Sequence, residues 1–138
     1  MSRFKNKAGG ASGAGAADVD GALLFVKPAE LARAEFTGVV AEGEFVEALP
    51  NRFDEDKLDF KIAIDTELSF SGVTKDGEPY TLEAKAGDTV VVNGAGNLNY
   101  LMSKVSPGEL CSISYHGKNE IQKGKRKGTL AHTFEIQY

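Results

Sequence analysis

Thr37-Gly38-Val39-Val40-Ala41-Glu42-Gly43-Glu44-Phe45-Val46-Glu47-Ala48-Leu49 is a long strand-like stretch, stopped by Pro50-Asn51. Gly43 in its middle marks a bulge or sharp bend, because a glycine inside a strand weakens it unless the backbone turns there. The polar run Asn51 to Lys57 follows as a turn. Leu58-Asp59-Phe60-Lys61-Ile62-Ala63-Ile64-Asp65 then alternates apolar and polar with period two, the pattern of a half-buried strand. Leu68 to Val73 either continues that strand or starts another.

Further along, Lys75-Asp76-Gly77-Glu78 is a tight-turn sequence, since Asp-Gly tolerates positive φ. Tyr80 to Ala84 alternates again. After the Ala86-Gly87-Asp88 turn, Thr89-Val90-Val91-Val92 reads as a buried strand. The pattern changes at Asn93-Gly94-Ala95-Gly96. Leu98, Leu101, Met102 and Val105 fall at helical spacing and predict a short amphipathic helix over 97–105, capped by Asn97 or Asn93 and ended by Pro107-Gly108. Leu110 to Tyr115 and Leu130 to Ile136 are the last two strands.

Upstream, Leu23-Leu24-Phe25-Val26 is a short apolar run ended by Lys27-Pro28, and Pro28 suits the first turn of a helix over Ala29–Ala34. Residues 8–17 contain only Gly, Ala and Ser. With nothing to bury, they offset none of their ordering entropy. Residues 1–22 are therefore expected to be a flexible arm with a basic head, Arg3 to Lys7, and residues 23–138 the folded domain. At 138 residues one domain can bury a core without disulfides, and a lone cysteine, Cys111, excludes an internal one. No apolar run approaches the roughly 18 residues of a membrane span, and no signal peptide is evident. A cytoplasmic protein without a membrane partner is expected.

The charge is unevenly placed. The chain carries −4 in all, yet Lys118, Lys123, Lys125, Arg126 and Lys127 stand against Glu120 alone between the last two strands. Residues 18–115 hold −10. A local basic patch can dock phosphates on an acidic body, because the shape of the field matters more than the total. The plain alternative is a solvated loop that keeps an edge from aggregating.

A long bent strand, further strands, a short helix and a closing hairpin follow the order of the OB-fold. From Thr37 to Tyr138 the chain resembles OB-fold single-stranded DNA-binding proteins of tailed bacteriophages. The residues that carry this are Val91-Val92-Asn93-Gly94, Pro107-Gly108-Glu109, Ile113 to Lys118, Lys123-Gly124-Lys125 and His132 to Ile136. The resemblance implies an all-β domain with one short helix, a five-stranded Greek-key barrel that binds oligonucleotides with a strand face and its first and last hairpin loops. Host cytoplasm and a role in phage DNA replication or recombination come with it, as do replication or recombination proteins as partners. Such proteins often end in an acidic tail that recruits partners. This chain ends in a strand, so recruitment by that route is not expected. Homo-oligomerisation is left open.

In that frame the five loop cations contact phosphates. Stacking of bases on exposed rings would complete the site. Phe60, Phe70 and Phe134 share the apolar phase of their strands and belong to the core. Phe45, Phe53 and Tyr80 are less tied to that phase and are the stacking candidates. Asn93 to Gly96 lacks the third glycine and the Gly-Lys-Ser/Thr of nucleotide loops, so it reads as a turn. His132 reads as a hydrogen-bonded core residue and Cys111 as buried and inert. Neither histidine has metal-ligand spacing. No catalytic constellation, metal or cofactor is expected. The competing readings are a small β-barrel structural or protein-interaction module and an RNA-binding OB domain.

Overall fold

The structure, a computed structural model, describes residues 22–51, 57–120 and 130–138. In chain order the elements are β1 (Leu23–Val26), α1 (Pro28–Arg33), β2 (Gly38–Pro50), β3 (Leu58–Ile64), β4 (Leu68–Val73), β5 (Pro79–Ala84), β6 (Thr89–Asn93), α2 (Leu98–Met102), β7 (Leu110–Glu120) and β8 (Leu130–Gln137). Six strands form one sheet in the order β1-β6-β3-β2-β7-β8, and β4 pairs only with β5. The described residues are mostly β, as expected, with eight strands and two short helices where the OB resemblance implies five and one; α1 is the helix expected after Pro28. Leu68–Val73 is a new strand. The flexible arm expected over 1–22 lies outside the described residues except for Ala22. No described helix is long and apolar enough to cross a membrane.

β2 is the spine. Its first half pairs with β7 and its second half with β3, both antiparallel. Register shifts at Val39/Ala41 and Phe45/Glu47 bend it between the two partners. Gly43 sits at the handover, opposite both Ile64 and Cys111. A Cβ there would overlap the Ala63 carbonyl, so the residue is fixed by close backbone approach. Alternation then sorts the side chains: Phe60, Ile62 and Ile64 of β3 point into the core, and Asp59, Lys61 and Ala63 point out.

Among the described residues the sheet does not close into a barrel. β1 covers the outer edge of β6 in parallel. Asp88 anchors its start by accepting the Ala22 and Lys85 amides at 2.9 Å each. The other edge, β8, is met by the turn before α2 rather than by a strand. Asn97 donates Nδ2–H to the Phe134 carbonyl at 3.0 Å and accepts the Phe134 amide at 2.7 Å. Its amide thus imitates a neighbouring strand for one residue. That is also why Asn97, although it stands at the N-cap position, makes no side-chain cap.

Leu98, Met102 and Val105 bury the inner side of this helical segment against the common core, with Phe45, Phe60, Ile62, Val90, Ile113, Tyr115 and Phe134. The β4–β5 ribbon packs on α1. Tyr80 lies over Gly72, where a Cβ would overlap its hydroxyl, and donates that hydroxyl to Glu30 at 2.6 Å. Arg33 donates to the Val73 carbonyl at 3.1 Å.

Candidate nucleic-acid interface

One cleft of about 650 Å³ collects residues from four separate segments. Lys57 comes from the end of the β2–β3 connection. Ala95, Gly96 and Asn97 come from the turn before α2. Asn119 and Glu120 end β7, and Leu130 to Thr133 begin β8. The turn is held tightly on both sides. Gly94 donates its amide to the Leu58 carbonyl at 2.8 Å, and Gly96, at φ +53°, abuts the His132 carbonyl. The glycines therefore serve close backbone contact. The turn expected at Asn93 to Gly96 is present, and the asparagine side-chain cap is not.

The β2–β3 connection is closed at its base by the Asn51 amide, which donates to the Lys57 carbonyl at 2.9 Å. In the other hairpin, a bulge between Tyr115 and Lys118 puts Gly117 at φ +85° and sets Lys118 opposite His132. Lys118 is exposed, and neither it nor Lys57 forms an ion pair with a described residue. His116 and Glu135 meet across the strands at 2.9 Å.

Tyr115 is fully buried, and its hydroxyl lies 2.7 Å from His132 Nδ1. Burial, and after it the charges of Lys118 and Lys57, push the imidazole below its ordinary value. His132 is hydrogen-bonded, as expected, but it is half-buried and lines the cleft rather than joining the core.

Of the expected phosphate contacts, Lys118 does not line the cleft but stands beside it, paired across the strands with the lining residue His132. Lys123, Lys125, Arg126 and Lys127 lie outside the described residues, in the nine-residue connection that leaves the cleft at Glu120 and returns at Leu130. The stacking candidates fare differently. Phe45 is 4% exposed, its ring 6.2 Å from that of Phe60, so it offers no face to a base. The bulge that follows it turns Val46 outward instead. Tyr80 is committed to Gly72 and Glu30, and burial followed by Glu30 raises its phenol. It belongs to the α1 side and not to the cleft. Phe53 lies outside the described residues.

The outward face of β2 and β3 also differs from a stacking platform. Its charged residues are Glu42, Glu44, Glu47 and Asp59 against Lys61, which pairs with Glu47 at 3.3 Å. Among the described residues the cleft end carries Lys57 and Lys118 against Glu120, whereas the strand face is net negative. The large exposed rings among the described residues are Phe25 on β1 and Tyr100 on α2, the latter under Lys104 at 4.7 Å. Phe25 was not legible because four apolar residues in a row show no period. Lys57 was hidden at the end of a polar turn whose fold position only the sheet reveals. Cys111 is buried, its thiol pushed up to about 12 by burial, which leaves it inert at neutral pH.

No protein family, curated protein or solved structure matches the chain.

Proposed function

We propose that this protein binds single-stranded DNA without strong sequence preference, as an OB-type domain of the kind found in phage replication and recombination. The observation that carries the reading is the meeting of two hairpin connections at one cleft. Lys57 brings the β2–β3 connection there, and Asn119, Glu120 and Leu130, with Lys118 one residue before Asn119 and opposite His132, bring the β7–β8 connection. Those are the first and last hairpins of the arrangement built on the long bent β2, and OB-folds hold ligand with the corresponding loops. The two connections carry Lys57, Lys118, Lys123, Lys125, Arg126 and Lys127 as the candidate cation cluster, with Arg52 and the acids Asp54, Glu55, Asp56 and Glu120 alongside, on a protein that is acidic overall.

Such a cluster neutralises phosphates and releases counterions, which is sequence-independent and salt-sensitive. The acidic outward face of β2 and β3 would repel a backbone laid across it, so the strand enters at the cleft end. That same face, with exposed Leu23 and Phe25 on β1, favours a second reading, a protein-interaction module. Anisotropy of labelled oligo-dT, oligo-rU and duplex DNA at two salt concentrations separates the readings. Binding of oligo-dT that weakens with salt supports the proposal. Equal affinity for oligo-rU removes the preference for DNA. No binding to any of the three at low salt overturns it in favour of the interaction module.

A further inference from the structure

We propose that His132 is a tautomer-locked hydrogen-bond donor that holds a phosphate of the bound strand between Lys57 and Lys118. This rests on the reading of the cleft as the nucleic-acid site. The geometry begins at Tyr115. Its hydroxyl is buried and lies 2.7 Å from His132 Nδ1, its one hydrogen-bond partner among the described residues. A buried hydroxyl proton needs an acceptor, and Nδ1 is that acceptor. An imidazole that accepts at Nδ1 and is neutral carries its proton on Nε2. Nε2 is on the far side of the ring from Tyr115, and His132 lines the cleft. The locked ring therefore presents one N–H donor and no acceptor to whatever enters.

The surroundings select the class of occupant. Lys118 is the register partner of His132 across the β7–β8 pair, and Lys57 lines the same cleft from the β2–β3 connection. The Asn97 and Asn119 amides are engaged with the Phe134 backbone and the His116 carbonyl, and Glu120 is the carboxylate on the rim. One donor flanked by two ammonium groups matches an anionic oxygen, and a phosphate supplies several. The lock has a second consequence. Protonating Nδ1 would take the acceptor away from Tyr115, so the ring favours its neutral donor form in the free protein. That agrees with the lowering caused by burial, Lys118 and Lys57. Tyr115 is then a positioning residue, acting through His132.

The test uses the full chain with ring-labelled histidine and follows nitrogen resonances by NMR. In the free protein His132 should show a protonated Nε2 and an unprotonated Nδ1. Added inorganic phosphate, and then oligo-dT, should shift the Nε2–H signal while leaving His116 little changed. His132→Gln retains an acceptor and a donor on one planar group, so oligo-dT affinity should stay within about threefold. His132→Phe should weaken it by about tenfold, the loss expected for one charge-assisted hydrogen bond. Tyr115→Phe should mix the two tautomers and weaken binding by a smaller factor. A proton found on Nδ1 in the free protein overturns the lock. Wild-type affinity in His132→Phe overturns the contact. If oligo-dT fails to bind the unaltered protein, the nucleic-acid reading itself fails, whereas a shift of His132 by inorganic phosphate alone still supports an anion site.

Discussion

Asn97→Ala removes two hydrogen bonds at once, at 3.0 and 2.7 Å, both to the backbone of Phe134. Each is worth about 1 kcal/mol net, and the partly buried Phe134 amide and carbonyl would lose their partner. The expected loss is about 2–3 kcal/mol, a fall in Tm of roughly 6–10 °C for a domain of this size. Asn97→Asp keeps the acceptor for the Phe134 amide but sets a carboxylate against the Phe134 carbonyl. It should recover little of the loss. Urea denaturation followed by far-UV circular dichroism reads this directly, with the midpoint moving and the slope unchanged. Because the same residue holds β8 beside the cleft, oligo-dT affinity should fall in parallel. An Asn97→Ala protein within about 0.5 kcal/mol of the unaltered chain would refute the idea that this side chain stands in for a strand at the β8 edge.

Gly43→Ala drives a Cβ into the Ala63 carbonyl and should cost about 3 kcal/mol, read as a lower urea midpoint; a neutral outcome would mean β2 does not bend there. Tyr80→Phe should leave oligo-dT affinity unchanged and lower thermal stability, since the phenol serves Glu30; a clear loss of affinity would restore Tyr80 as a stacking ring. His132 has its folded value depressed below the ordinary 6.5, so the unfolded chain binds the proton more readily. The stability this residue contributes is full above about pH 6.5 and is lost as pH falls through its folded value. His132→Gln should lack that part of the decline, measured as urea midpoints between neutral and mildly acidic pH, and an identical decline in both proteins would contradict it.

Much of the β pattern is legible in the residues. Period-two alternation gives β3, and the run of β-branched residues gives β6. The Asp76-Gly77 turn gives the β4–β5 ribbon, and the face of Leu98, Met102 and Val105 gives α2. What the residues do not reveal is which strands meet. Nothing in Leu23–Val26 says that it lies parallel to β6, because parallel pairing leaves no local periodicity. Phe45 shows how a bulge defeats parity counting. One extra residue after it moves the following side chains to the other face, so its place in the core depended on the register of β2 against β3. The basic run Lys123 to Lys127 stands out in the sequence, while Lys57 and His132 come to line one cleft only through pairing across the hairpins.

The salt dependence of oligo-dT binding tests the nucleic-acid reading most directly. For single strands the logarithm of affinity falls with the logarithm of salt by about 0.7 per phosphate neutralised. Phosphate contacts from all six cations of the proposed site would set a slope near −4, and the Lys57→Gln, Lys118→Gln double variant should flatten it to about −3. Between 50 and 200 mM salt the unaltered protein should then lose about 300-fold in affinity and the double variant about 50-fold. A slope near zero, or one that the double substitution leaves unchanged, would contradict the placement of a phosphate backbone in this cleft.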